Sequence, residues 1–150
     1  MTGTWADVRR LCVAGHFREL VHGSPEDPSL EASRGALPEE EAMRVAAYLR
    51  KASVFAVSSG TLDDWFTGRK HVARHHTQTD GVWIWSADLP YYVANYRVAI
   101  PEELLQRMRD LDWRCPVLSQ QELIAFSNLL QGLLKHRRKQ YQKQHRKKQR

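Results

Sequence analysis

The sequence lacks the patterns that metal sites, disulfide frameworks and membrane spans require. It has only two cysteines, Cys12 and Cys115, and neither has a second cysteine or a histidine nearby at metal-ligand spacing. No apolar run approaches the roughly 18 residues that cross a membrane, and the N-terminus has no basic stretch followed by an apolar one. We therefore expect a soluble, cytoplasmic protein with no metal, cofactor or membrane partner. The sequence leaves open whether the two cysteines pair.

Motifs of enzymatic chemistry are also absent. The chain has no nucleophile beside a base, no glycine-rich phosphate loop and no HExxH spacing. Two features remain as an alternative: the adjacent carboxylates Asp63 and Asp64, and a histidine cluster in which His71 and His75 would share one face of a strand, with His76 opposite. Because basic residues surround the histidines, a bound cation is disfavoured. We predict no catalytic and no metal-binding residues.

Acidic residues are missing from the C-terminal segment 135–150. This segment carries nine of the 23 lysines and arginines, which leaves 14 basic against 17 acidic residues in the rest of the chain. The body is therefore mildly acidic, at −3, and the net charge of +6 comes from the tail. Such a tail can bind phosphate backbones with little sequence preference. The candidate nucleic-acid-binding residues are Lys135, Arg137, Arg138, Lys139, Lys143, Arg146, Lys147, Lys148 and Arg150.

The remaining composition predicts a folded body. The chain is 42% hydrophobic and has five Trp, five Tyr and four Phe, which is too apolar for a disordered chain. We expect a single domain over residues 1–134. The tail, 135–150, has no apolar stripe to pack, so we expect it to be exposed helix or disordered.

Capping signals and helical spacing predict five helices. Pro38 and Pro101 stand at favoured first positions before glutamates, Ser86 is a candidate N-cap, and Ser119 forms a capping box with Glu122. The segment from Gly23 onward is rich in proline, glycine and polar residues, which predicts a loop at 23–36. The predicted helices span 4–21, 38–51, 87–97, 101–111 and 119–134.

Three strands are predicted around one turn. Asp80-Gly81 between extended runs predicts a type I′ hairpin turn, in which both central residues have positive φ. The flanking strands are 71–78 and 82–85, and the run 53–59 predicts a buried strand that ends at Gly60. The sequence therefore predicts an α+β fold, with a small antiparallel sheet of about three strands packed with four to five helices.

Aromatic residues beside the turn are candidates for protein recognition. Val82 and Ile84 would face one side of the strand and Trp83 and Trp85 the other, so the strand is either covered on both faces or displays an aromatic pair. Exposed aromatic anchors supply contact area at low entropic cost. The protein-binding candidates are Trp83, Trp85 and Tyr91, and burial of the tryptophans in the core is the alternative.

The segment from Tyr48 to Trp113 resembles small actinobacterial proteins with a TDGxWxW hairpin motif, some of them suspected immunity proteins of polymorphic-toxin systems. The resemblance rests on the runs Ala47–Arg50, Thr79–Trp85, Tyr91–Val93 and Ile100–Leu104. It implies a toxin as protein partner, and it implies no activity and no catalytic residues. We therefore expect a non-enzymatic binding protein, with nucleic-acid binding through the tail as the alternative. The oligomeric state is open.

Overall fold

A computed structural model describes residues 12–148, and these divide into two units. The first, Cys12–Val117, contains a four-stranded sheet and four helices. The described part of the second, residues 118–148, holds one long helix. The predicted α+β class is confirmed, whereas a domain boundary at residue 134 stays a prediction.

The sheet is mixed and has one strand more than the sequence predicts. In spatial order it runs β1-β4-β3-β2, where β1 is Cys12–Ala14, β2 is Ser53–Leu62, β3 is Ala73–Thr79 and β4 is Trp83–Ser86. Strand β3 pairs antiparallel with both β2 and β4. Strand β1 pairs with β4 in parallel, with Cys12 opposite Trp83.

The predicted first helix is wrong over its described part. Residues 12–14 form strand β1, and Gly15 follows with a φ of 74°, which an α-helix does not accommodate. The apolar residues here face β4 as a neighbouring strand, a pairing that no local pattern announces. Residues 4–11 of the predicted helix lie outside the described residues.

The turn between β3 and β4 lies where predicted but is not type I′. Only Gly81 has a positive φ, at 96°, whereas a type I′ turn needs two such residues. The Asp80 side chain holds the turn instead, since its Oδ1 accepts from the backbone N–H groups of Val82 (3.0 Å) and Trp83 (2.8 Å). Asp favours turns both because it accepts hydrogen bonds from nearby backbone N–H groups and because it tolerates a positive φ. In this turn it acts through the hydrogen bonds.

Strand β2 is longer and more exposed than predicted. It continues through Gly60, which has a φ of 91°, to Leu62, and Val57 is 71% exposed. Among the described residues β2 pairs only with β3, so it lies at the edge of the sheet. Short apolar runs are typical of buried strands, but here the edge position overrides that pattern.

Three helices of the first unit form close to their predicted positions. They are α2 (Glu39–Lys51), α3 (Leu89–Tyr96) and α4 (Glu102–Asp110), and α2 and α4 begin directly after their prolines. Ser86 does not cap α3, because it is the last residue of β4. The residue before the helix is Asp88.

The predicted loop at 23–36 contains a short helix, α1 (Leu30–Ser33). The Glu19 carboxylate accepts from the backbone N–H groups of Leu30 (2.8 Å) and Glu31 (2.9 Å) and from the Ser29 hydroxyl. These bonds satisfy donors that a helix start otherwise leaves unpaired. Leu30 is thereby fixed in the core, where it is fully buried.

The core of the first unit collects the buried faces of α2, α3 and α4 with those of the sheet. Its largest fully buried side chains include Trp85, Tyr48 and Tyr92, and the rings of Tyr48 and Trp85 lie 6.4 Å apart. Burying one large apolar side chain contributes about 1.5–3 kcal/mol. The sheet strand that follows the turn is therefore a central element of the core.

Helix α5 (Gln120–Lys148) forms the second unit's described part. Its predicted capping box is confirmed: the Ser119 hydroxyl accepts from the Glu122 N–H (3.2 Å), and the Glu122 carboxylate accepts from the Ser119 N–H (3.1 Å). The helix does not end with its apolar residues but continues through the basic segment to Lys148.

Candidate functional sites

Four basic residues of α5 form a stripe along one side of the helix. Lys135, Lys139, Lys143 and Arg146 follow one another at intervals of four, four and three residues, and all four are exposed. At 3.6 residues per turn they fall within an arc of about 80°, over about 16 Å of helix length. After Glu122 the sequence has no acidic residue that could neutralise them.

The other candidate residues of the tail have different positions. Arg138 is exposed and lies on the helix about 60° from Lys135. Arg137, Lys147 and Lys148 belong to α5, and Arg150 lies outside the described residues. We call Lys135, Lys139, Lys143 and Arg146 the basic stripe.

An aromatic pair lies on the same helix as the basic stripe, next to Arg138. The rings of Tyr141 and His145, one helical turn apart, stack with centroids 4.1 Å apart and an interplanar angle of 28°. Both residues are exposed, and Tyr141 is 62% exposed. The sequence shows one tyrosine among the basic residues of this segment, and the i, i+4 spacing of the two rings is the signal that predicts their contact.

Two of the three predicted protein-binding residues are not on the surface. Trp85 is fully buried and Trp83 is 8% exposed, both within the core of the first unit. All four residues of strand β4 are buried, so both faces of this strand are covered. As surface anchors Trp83 and Trp85 are therefore wrong, and the core alternative holds for both.

Tyr91 is partly exposed and belongs to a cluster built around Asp64. The Asp64 carboxylate accepts from the hydroxyls of Tyr91 (2.6 Å) and Tyr96 (2.5 Å) with one oxygen. With the other it accepts from the backbone N–H groups of Phe66 (2.7 Å) and Thr67 (3.2 Å). Asp64 is 1% exposed, so four donors compensate its burial.

This arrangement shifts the pKa values of its members in opposite directions. Burial acts to raise the pKa of Asp64, but the hydrogen bonds from Tyr91 and Tyr96 outweigh it and the pKa is lowered. Burial and the bond to Asp64 raise the pKa of Tyr91 above its ordinary range. Asp64 is thus an ionised acceptor and Tyr91 a neutral donor, which is a structural arrangement and not one poised for proton transfer near neutral pH.

The surface of the Asp64 cluster is aromatic and carries one cation. Trp65 is 44% exposed and contacts the ring of Phe66 edge-on, at 5.3 Å. The exposed guanidinium of Arg34 lies 5.0 Å from the ring centres of both Phe66 and Tyr96. We call Arg34, Trp65, Phe66, Tyr91 and Tyr96 the aromatic patch. The sequence shows the two aromatic residues at 65–66, but their contact with α3 depends on the tertiary fold and cannot be predicted from it.

A second buried carboxylate, Asp80, joins the turn to helices α2 and α4. Its Oδ2 accepts from the Tyr48 hydroxyl (2.6 Å) and from Nε of Arg107 (2.9 Å). Burial and this bond raise the pKa of Tyr48 above its ordinary range. Burial, followed by the charge of Asp80, raises the pKa of the nearby Cys115 thiol to about 11, so this cysteine is a protonated and poor nucleophile at neutral pH.

The histidines at 71–76 do not form the pattern that a strand would give. His71 precedes β3 and has a φ of 57°, so it does not share a strand face with His75. Within residues 12–148 no group of three or more His, Cys, Asp or Glu side chains is arranged to hold a metal ion. In the same part of the chain, Cys12 and Cys115 are not joined by a disulfide, and no helix is both long and apolar enough to cross a membrane.

A histidine and carboxylate pair also lies away from the predicted sites. Nε2 of His22 lies 3.0 Å from Oδ2 of the buried Asp88, and the His16 ring centre is 5.3 Å from that of His22. Burial, followed by the proximity of His22, lowers the pKa of His16. His22 follows β1 and Asp88 directly precedes α3, so their contact joins two segments that are far apart in sequence.

No protein-family model matches the chain, and neither a curated protein nor a solved structure matches it.

Proposed function

We propose that this protein binds the phosphate backbone of nucleic acids through the basic stripe of α5. The observation that carries the proposal is the alignment of Lys135, Lys139, Lys143 and Arg146 on one exposed side of a helix. Lys and Arg bind phosphates mainly through charge, and aligned charges contact successive phosphates of one strand without rearrangement. The preceding part of the chain, at −3, supplies no comparable excess of positive charge.

The test is a variant in which the stripe is neutralised. Replacing Lys135, Lys139, Lys143 and Arg146 by Gln keeps good helix formers and removes four charges. Four phosphate contacts correspond to a slope of log affinity against log salt of about −3 to −4, so raising salt from 50 to 200 mM weakens wild-type binding by about 50- to 150-fold. The variant should lose that salt dependence and most of its affinity, measured by fluorescence anisotropy with a labelled oligonucleotide.

A matched control removes the same charge elsewhere. Arg50, Lys51, Arg69 and Arg74 are exposed residues of the first unit, and their replacement by Gln lowers the net charge by the same amount. If this control weakens binding as much as the stripe variant does, the affinity follows net charge and the proposed site is wrong. If the wild-type protein binds no nucleic acid at 50 mM salt, the proposed function itself is wrong.

We propose protein recognition through the aromatic patch as a second function. Trp, Tyr and Arg are the residue types that dominate binding energy at interfaces, and the patch presents Trp65 at 44% exposure beside Arg34 and the partly exposed Tyr91. This proposal keeps one predicted residue, Tyr91, and replaces the two buried tryptophans. The resemblance to suspected immunity proteins supports a toxin as the partner.

Trp65→Ala tests the second function directly. The residue is exposed, so the fold should tolerate the change, whereas binding to a cognate toxin should weaken by about 2 kcal/mol or more if Trp65 is an anchor. The assay is calorimetric titration with a candidate toxin of a polymorphic-toxin system, and Met43→Ala, at a residue that is also exposed, is the control. Equal binding by wild type and Trp65→Ala would exclude the patch.

A further inference from the structure

The Tyr141–His145 pair points to a more specific ligand for α5. We infer that this pair is a stacking surface for unpaired bases, so that the protein prefers single-stranded nucleic acid to a duplex. The inference rests on the proposed function, because the basic stripe must first hold the backbone. It depends on a separate observation, which is that two stacked rings remain exposed on a segment that is otherwise basic and polar.

Exposure is the first step of the argument. Tyr141 is 62% exposed, and the His145 ring stacks on it. The exposed part of the tyrosine ring is therefore accessible to a planar ligand. Every nucleobase has such a face, and stacking on aromatic side chains is a general mode of single-strand binding.

Position relative to the stripe is the second step. On a helix with 3.6 residues per turn, His145 lies about 120° and Tyr141 about 160° from the centre of the stripe. Arg138 is exposed and lies between the pair and the edge of the stripe, about 60° from Lys135 and about 60° from Tyr141. A strand whose phosphates contact Lys135 and Arg138 can thus place its bases against the rings. In a duplex the bases are paired and stacked on each other, so their faces are not accessible to the rings.

The side of the helix beyond Lys143 has polar side chains instead of rings. His136, Gln140 and Gln144 follow one another around it, and Nε2 of Gln140 lies 3.0 Å from Nε2 of the His136 ring. The aromatic pair therefore adjoins the charges of Lys135 and Arg138, and single-strand binding combines such charges with stacking rings.

The test compares two probes of equal charge in the full-length protein. One is a thymidine oligonucleotide of about 16 nucleotides, the length that a single-strand site commonly covers, and the other is an abasic strand of the same length. Wild type should bind the thymidine strand about 5-fold or more tightly than the abasic strand, since stacking on one side chain is worth about that factor or more. Tyr141→Ala should remove this difference and leave binding to the abasic strand unchanged.

Two further variants control the result. Tyr141→Phe keeps the ring and should bind both strands as wild type does, while Gln140→Ala changes an exposed neutral residue of the same helix and should have no effect. Because Ala is the best helix former, the helix should persist in the Ala variants, and circular dichroism checks this. Binding to a duplex of the same length should be the same for wild type and Tyr141→Ala, because the base faces of a duplex are not accessible to the ring.

The outcomes separate this inference from the proposed function. If wild type binds the thymidine and abasic strands equally, the rings do not stack on bases, while phosphate binding through the stripe stands. If Tyr141→Ala still discriminates between the two strands, bases are recognised elsewhere and the inference is wrong. If neither strand binds at low salt, the proposed function fails and this inference fails with it.

Discussion

The buried Asp80 carboxylate should be one of the most costly side chains to remove from the first unit. Asp80 is completely buried, and four donors converge on it: the backbone N–H groups of Val82 and Trp83, the Tyr48 hydroxyl and Nε of Arg107. Asp80→Ala leaves all four without an acceptor. Breaking a buried ion pair by removing one partner costs about 3–5 kcal/mol, because the other charge stays buried and uncompensated.

Two variants divide that cost into its parts. Tyr48→Phe removes one hydrogen bond and should cost about 0.5–1.5 kcal/mol. Asp80→Asn keeps an acceptor for the two backbone donors of the turn but removes the charge that Arg107 contacts, so its cost should lie between those of Tyr48→Phe and Asp80→Ala. The guanidinium side chain of Arg107 is 24% exposed, and water therefore relieves part of the penalty.

The measurement is urea unfolding followed by circular dichroism, with Asp110→Ala as the control. Asp110 is an exposed carboxylate on α4, and its removal should change the free energy of unfolding by no more than about 0.5 kcal/mol. A loss of 3 kcal/mol should also lower the melting temperature by about 10 °C or more. If Asp80→Ala is no more destabilising than Tyr48→Phe, the reasoning that assigns the main cost to the uncompensated Arg107 charge is refuted.

Three further predictions concern the turn, the tail and the Asp64 cluster. Gly81→Val should lower the free energy of unfolding in urea by about 1 kcal/mol or more, because a β-branched residue is strained at a φ of 96°, and an unchanged unfolding curve would contradict this. Removal of residues 135–150 should shift the melting temperature by no more than about 2 °C, since exposed charges contribute little to stability, and a larger loss in calorimetry would show that the segment packs. The pKa of Asp64 is lowered, so its stabilising effect should be complete above its unfolded pKa of about 3.9 and be lost as pH falls through the lower folded value. Acid unfolding between pH 6 and 2 should accordingly destabilise wild type more than Asp64→Asn, and equal acid sensitivity would argue against this role for Asp64.

Local signals predicted most of the helices correctly. Pro38 and Pro101 precede α2 and α4, and the capping box at Ser119 starts α5, because these effects involve only neighbouring residues. The prediction that Ser86 caps a helix is wrong because Ser86 belongs to the sheet. It lies opposite Thr77 in the pairing of β4 with β3, and the helix begins after Asp88.

The sheet was less predictable, because its pairing joins distant segments. The apolar residues near Cys12 form a strand only because β4 is available as a neighbour, and the run after Ser53 is exposed only because it falls at the edge. The sequence predicts that Trp83 and Trp85 share one face of the strand, but it does not decide whether that face is covered. Burial depends on the neighbours of a strand, and those are not encoded within the strand itself.

The candidate sites show the same division. The basic stripe and the Tyr141–His145 pair lie on one helix, so their geometry follows from residue spacing alone. The Asp64 cluster joins a turn to α3. At that turn the sequence shows two adjacent carboxylates and two aromatic residues, with no sign of the contact to α3. Its acceptor role becomes apparent only when Tyr91 and Tyr96 are placed beside it.

The parallel pairing of β1 with β4 has a consequence for the order of folding. The hairpin of β3 and β4 closes a short loop. The pairing of β1 with β4 instead brings together Cys12 and Trp83, which are separated by most of the first unit's sequence. Closing a longer loop costs more chain entropy, and such non-local contacts form slowly. We expect β1 to add to the sheet last and to leave it first, so that Trp83 loses one strand neighbour while the rest of the core is intact. Strand β1 would then behave as a separate cooperative segment, with backbone amides that exchange their hydrogens faster than those of β3.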